Sequence, residues 1–82
     1  MAKGSHSVIV YSTPTCPYCH MAKEYFKKNG VKYADIDVAA DQKKAEEMIR
    51  KSGQMGVPVI DIDGTIIVGY DLPAIKKALG MN

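Results

Sequence analysis

The sequence predicts an α/β domain: one four-stranded mixed sheet with three helices, in the order β-α-β-α-β-β-α. Three observations carry that expectation. The β-branched run Val8-Ile9-Val10-Tyr11 is followed by a helical pattern and then a second, alternating run, which together make a βαβ unit. Two further apolar runs, Val59–Ile62 and Thr65–Val68, flank Asp63-Gly64, a strong short-range hairpin signal. No linker, internal repeat or low-complexity tract interrupts the 82 residues, so a single domain spans 1–82, with 1–7 as a flexible polar lead-in.

Taken in order, residues 8–11 read as a strand buried on both faces, because no polar residue alternates with the apolar ones. Ser12-Thr13-Pro14-Thr15 is a loop. A helix then starts with Cys16 as its N-cap and Pro17 at its first position, where the missing N–H is not needed. Tyr18, Ala22, Tyr25 and Phe26 recur at helical spacing, and Asn29-Gly30 ends the element. Residues 32–38 alternate, with Ala34, Ile36 and Val38 on one side and Tyr33, Asp35 and Asp37 on the other, as in a strand at a sheet edge. A second helix covers 41–52: Ala45, Met48, Ile49 and Ser52 share a stripe, and Lys43, Lys44, Glu46, Glu47 and Arg50 form a solvated face. After the loop 53–58 and the hairpin, Asp71 is the N-cap of a last helix over 72–79, with Pro73 in its first turn and Gly80 as its stop.

Composition narrows the function. The formal net charge is +2, with Lys and Arg interleaved with Asp and Glu, so nothing marks a nucleic-acid surface. The leading apolar run is too short for a signal peptide or a membrane span, which points to the cytoplasm and away from membranes, and the chain is expected to act as a monomer. Two cysteines in a reducing compartment are catalytic or metal-binding rather than a structural staple. Structural zinc takes four ligands, and Cys16 and Cys19 with the scattered His6 and His20 do not supply a site.

Cys16-Pro17-Tyr18-Cys19 is the candidate centre. A sulfur at an N-cap faces the free N–H groups of the first helical turn and the positive end of the helix dipole, and both favour the nucleophilic thiolate. Cys19 sits one turn in, near enough to bridge to Cys16. The pair is a redox dithiol in which Cys16 attacks and Cys19 resolves. His20 points about 100° away from Cys19 on the helix and reads as solvated. Lys23, a turn beyond Cys19, reads as mostly exposed stem and charge, with a weak electrostatic aid to Cys19 as the lesser alternative. Tyr18 either lines a substrate groove or only packs.

Cys-Pro-Tyr-Cys opening the helix of an early βαβ unit, Gly56-Val57-Pro58 before a hairpin, and Gly69-Tyr70-Asp71 before a last helix together resemble a glutaredoxin, of thioredoxin-like fold. The likeness runs over residues 8–79. It implies a thiol-disulfide oxidoreductase without a tightly bound cofactor and with glutathione as co-substrate. It also implies a cis Val57–Pro58 bond beside the cysteines, with Val57 offering its backbone N–H and C=O to an incoming disulfide. By the same resemblance Gln54 matches a contact to the glycine carboxylate of glutathione. Gly69 and the backbone of Tyr70 and Asp71 match the helix N-terminus that receives the γ-glutamyl end. Tyr70 itself packs on that ligand or covers the core.

The chain departs from the family pattern at three places. Gly56 stands where a threonine is usual, Val68 replaces the first glycine of a Gly-Gly pair, and residues 12–15 lack the common lysine. Loss of that cation removes about 1 kcal/mol of Coulombic hold at a wet surface. The alternative partner is therefore a thioredoxin reductase, as for redoxins serving ribonucleotide reductase. A glutathione-ligated iron–sulfur cluster shared by two chains is a further alternative, disfavoured by the proline in the motif.

Overall fold

The computed structural model describes residues 6–80. Strand β1 covers Val8–Ser12, helix α1 Pro17–Lys28, strand β2 Ala34–Asp37, helix α2 Gln42–Ser52, strand β3 Val59–Ile62, strand β4 Thr65–Val68 and helix α3 Leu72–Ala78. The strands form one sheet in the order β2-β1-β3-β4. β1 runs parallel to β2 and antiparallel to β3, and β3 pairs antiparallel with β4. The predicted order of elements and the mixed sheet are both present.

Each helix begins where the sequence places a cap. The Asp41 carboxylate accepts the Lys44 N–H at 3.2 Å and the Asp71 carboxylate accepts the Ala74 N–H at 3.3 Å. The hairpin turn holds Asp63 at φ 52° and Gly64 at φ 91°, the double positive φ that an Asp-Gly pair tolerates. Strand β2 is shorter than the alternation predicts. It lies at the sheet edge with β1 as its neighbour, and the register ends at Ser12 opposite Asp37. Beyond it the Asp37 carboxylate takes the Ala39 N–H at 2.9 Å and turns the chain. Before it, Tyr33 leaves the strand direction to pack its ring 5.8 Å from that of Phe26.

Side chains alternate along β1, and the core is accordingly split in two. Val8 and Val10 join Ala22 and Phe26 of α1 and Ile75 of α3 on one face. Tyr11 joins Met48 of α2 and Val59 on the other. The outward face of α2 is not simply solvated. Glu47 accepts the hydroxyl proton of the fully buried Tyr11 at 2.5 Å, and Lys51 donates to that hydroxyl and to Asp61, each at 2.8 Å. A buried phenol needs partners for its hydroxyl, and α2 supplies them. Desolvation by burial and the Glu47 bond push the Tyr11 hydroxyl above its ordinary pKa, while Lys51 pulls the other way.

Residues 1–5 of the lead-in expected to be flexible lie outside the described residues. His6 and Ser7 are tied to the hairpin turn: His6 Nδ1 lies 2.5 Å from an Asp63 oxygen, and the Ser7 N–H reaches the other at 2.7 Å.

Candidate active site

One end of the sheet collects the candidate residues. β1 leaves it at Ser12 and reaches Cys16 through a turn in which the Cys16 N–H approaches the Thr13 carbonyl at 3.4 Å. Antiparallel pairing of Tyr11 with Val59 puts Pro58 at that same end, and pairing of Val59 with Val68 brings Gly69, Tyr70 and Asp71 there too. The Gly69 N–H, at φ 84°, donates to the Pro58 carbonyl at 2.8 Å and ties the two loops together. The Val57–Pro58 bond is cis, as the resemblance implies.

Cys16 caps α1 in an extended backbone conformation, with Pro17 at the start of the helix and exposed. Its Sγ accepts the Cys19 N–H at 3.1 Å, so the sulfur stands in for the side-chain oxygen that usually caps a helix. Both cysteines are free thiols. Cys16 is buried but keeps 8% of its surface accessible, at the outer end of the pair, whereas Cys19 keeps none. Burial pushes the Cys19 thiol up to about 12, and the bond and charge of Cys16 add to that, against an opposing pull from the Thr13 backbone and Lys23. Such a thiol stays protonated at neutral pH until it is called on to act.

The other expected residues fall as follows. Tyr18 is 60% exposed beside the thiols and does not serve the core. Val57 packs against the α2-side cluster, and Pro58 is buried. Tyr70 packs partly on the core and also lines a hollow of about 310 Å³ with His20, Met21 and Glu24. Asp71 is exposed, with its Oδ1 committed to the α3 cap. Gln54 is folded back on its own loop, its amide nitrogen donating to the Gly56 carbonyl at 2.9 Å. A Cβ at Gly56 would stand 3.1 Å from the Gln54 amide oxygen, so a side chain there would make the Gln54 amide give way by a few tenths of an ångström. His20 is exposed, its Nε2 3.4 Å from the Pro14 carbonyl.

Lys23 corrects the sequence-based expectation. Its side chain is 15% exposed rather than a free stem, and its Nζ lies 3.0 Å from Asp35 Oδ2 and 3.5 Å from Ser12 Oγ. Ser12 in turn donates to the second Asp35 oxygen at 2.9 Å. Partial burial pushes the Asp35 carboxyl up, but the Lys23 and Ser12 bonds and the Lys23 charge together bring it below its ordinary value. Nothing local in the sequence marks this triad, because its members come from β1, α1 and β2.

With the geometry in place, comparison with known proteins decides the family. Residues 8–67 match the family model for glutaredoxin. This chain belongs to the glutaredoxin family. It is 51% identical over 70 residues to an uncharacterized glutaredoxin-like 8.6 kDa protein in the rubredoxin operon of Clostridium pasteurianum, covering 85% of this chain and 93% of that one. Over 65 residues it is 42% identical to glutaredoxin 3 of Escherichia coli strain K12, covering 79% of this chain and 78% of the relative. Among solved structures, a buckwheat glutaredoxin–glutathione complex superposes with a TM-score of 0.73 at 27% identity, over 95% of this chain and 74% of that one. The glutaredoxin-family chain has the thioredoxin-like fold that its motifs suggest and is a thiol-disulfide oxidoreductase. Among the described residues, no helix is long and apolar enough to cross a membrane.

Proposed function

We propose that this glutaredoxin-family protein reduces disulfides in partner proteins, and mixed disulfides between proteins and glutathione, by two thiol exchanges at Cys16 and Cys19. The observation that carries this is the graded pair of sulfurs: Cys16 at the cap with a sliver of accessible surface, Cys19 sealed one turn behind it. Thiol exchange needs an attacking sulfur that a partner can touch and a second sulfur that cannot be touched first. The Cys16 thiolate attacks one sulfur of the substrate disulfide, forms a mixed disulfide and expels the other sulfur as a thiolate. Cys19 then attacks Cys16 Sγ, which closes the Cys16–Cys19 bond and frees the remaining substrate sulfur. For a glutathionylated substrate, Cys16 with a second glutathione suffices.

Glutathione is the proposed electron donor and cytoplasm the proposed compartment, with the protein acting as a monomer. Both electrons travel on sulfur, so the cycle asks for no resident cofactor. The buckwheat complex supports the glutathione assignment. In this chain Asp71, with one carboxylate oxygen uncommitted to the cap, and the Tyr70 and Asp71 backbone are the proposed hold on the γ-glutamyl end. Pro17, Tyr18, Val57, Pro58 and Gly69 are the proposed walls of the substrate groove, with Val57 pairing its backbone to the bound disulfide.

One observation favours a second reductant. The Gln54 amide proposed for the glycine carboxylate is turned onto Gly56, and residues 12–15 carry no cation to replace it. Weak glutathione binding and reduction by a thioredoxin reductase follow. A coupled assay of NADPH oxidation separates the two, comparing glutathione plus glutathione reductase with thioredoxin reductase, on wild type, Cys16→Ser and Cys19→Ser. Turnover with glutathione alone supports the first donor, turnover with thioredoxin reductase alone the second. Activity that survives Cys16→Ser in both systems would sink the dithiol mechanism.

A further inference from the structure

The second exchange poses a problem that the two cysteines do not solve between them. Cys19 lies out of solvent and must shed its proton before it can attack Cys16. The helix N-terminus serves Cys16 and not Cys19, whose own N–H is already spent on the Cys16 sulfur. A cation on the same helix face, four residues on, is the remaining source of help, since residues i and i+4 are neighbours on a helix. That residue is Lys23.

A free lysine would be a poor aid, because its long stem leaves the charge in water. Here the stem lies largely covered and the ammonium is anchored from two strands, by Asp35 on β2 at 3.0 Å and Ser12 on β1 at 3.5 Å. Ser12 is itself buried and bonds the same carboxylate at 2.9 Å, so carboxylate, hydroxyl and ammonium form a closed triangle. A small hollow of about 100 Å³, lined by Ser12, Thr13, Pro14, Lys23, Asp35 and Asp37, opens beside it.

We propose that Lys23, held by Asp35 and Ser12, is the positioning residue of the second exchange, fixing a positive charge beside Cys19 so that its thiolate can form. The step rests on the dithiol mechanism above. Cys19 gives up its proton to water, its sulfur attacks Cys16 Sγ, and the Cys16–Cys19 bond forms as the bond from Cys16 to the substrate sulfur breaks. The electron pair of that broken bond leaves with the substrate sulfur, which takes up a proton. The protein's two thiols are oxidised by two electrons and the substrate disulfide is reduced by two. The groups around Cys19 agree with this part for Lys23. Cys16 on its own helix opposes ionisation and the Thr13 backbone on the β1 side aids it, while Asp35 on β2 faces Lys23 and His20 turns away to Pro14.

The test uses the full-length reduced protein and the aryl disulfide dithiobis(nitrobenzoate), followed by stopped flow. Attack by Cys16 releases one coloured thiolate and attack by Cys19 on the mixed disulfide releases the second, so the two exchanges appear as separate phases. Lys23→Met and Lys23→Gln slow the second phase about tenfold, the equivalent of one pKa unit on Cys19. They displace its pH profile to higher pH and leave the first phase at the wild-type rate, and Lys23→Arg restores the second phase. A second phase that keeps its rate and pH profile in both neutral variants would overturn the assignment, as would equal slowing of both phases. Absence of any second phase in the wild type would instead defeat the dithiol mechanism itself.

Discussion

Two neighbouring residues of β1 carry hydroxyls to opposite faces of the sheet, and each meets a lysine and a carboxylate there. Under α2, Tyr11 lies between Lys51 and Glu47, with Lys51 running on to Asp61. Under α1, Ser12 and Asp35 hold Lys23. The components are alike and the surroundings are not. The Tyr11 cluster satisfies a buried phenol and also places the Lys51 ammonium 5.1 Å from the ring centroid. The Ser12 cluster takes its lysine, Lys23, from the helix that starts at the two thiols. Whether such a triangle is structural or chemical is thus decided by which helix supplies the lysine.

Variants that separate the two faces sharpen this contrast, the greatest effect coming from the sulfurs themselves. Cys16→Ser removes all turnover in either coupled NADPH assay. Cys19→Ser retains turnover on glutathionylated substrates and loses protein-disulfide reduction. Next, Tyr11→Phe destabilises the fold by about 1–2 kcal/mol, since it deletes a buried hydroxyl with charged partners. Urea unfolding shows this as a lower midpoint, while both phases of the aryl disulfide reaction keep their rates. A change in those rates would erase the distinction between the faces.

The clusters also differ in their response to pH. Asp35 has a folded pKa below its unfolded value of about 3.9, so the stability it contributes is complete above that value and is lost as pH falls through the lower folded one. The Asp61 and Tyr11 bonds raise Lys51 against the cost of its burial, so its contribution is complete below an unfolded value of about 10.4 and is lost as pH rises past the folded one. Urea midpoints across pH should therefore fall for Asp35→Asn at neutral pH and above, with the difference from wild type vanishing on the acid side, and for Lys51→Met at neutral pH and below, with the difference vanishing only at the alkaline end. The reverse pattern would contradict both pairings. The smallest expected effect is that of Gly56→Thr, whose Cβ pushes the Gln54 amide off the Gly56 carbonyl. It should lower the KM for glutathione about threefold if Gln54 serves the glycine carboxylate, as titration in the glutathione-coupled assay would reveal.

Most of the fold was legible in the chain because its signals are local. Asp63-Gly64 set both strands of the hairpin to their observed limits, Pro17 marked the start of α1, and Asp41 and Asp71 marked the caps of the other two helices. The two thiols declared themselves by spacing alone. What stayed hidden was long-range. Lys23 looks like any surface lysine until the parallel register of β1 and β2 brings Asp35, 12 residues further on, under its ammonium. Glu47 and Lys51 look like the wet side of an amphipathic helix until Tyr11 is seen to end between them. The fold-back of Gln54 onto Gly56 depends on the path of a loop, which no periodicity records.

The opposed hydroxyls of β1 bear on how the strand is threaded. Its first three residues, Val8, Ile9 and Val10, are apolar on both sides, so a one-residue slip that exchanged the faces would cost little there. With Tyr11 and Ser12 adjacent, a shift by one position would carry the phenol towards α1 and the serine towards α2, leaving each lysine facing the wrong partner. The same two side chains that serve the two faces therefore act as a key that admits a single alignment of the central strand.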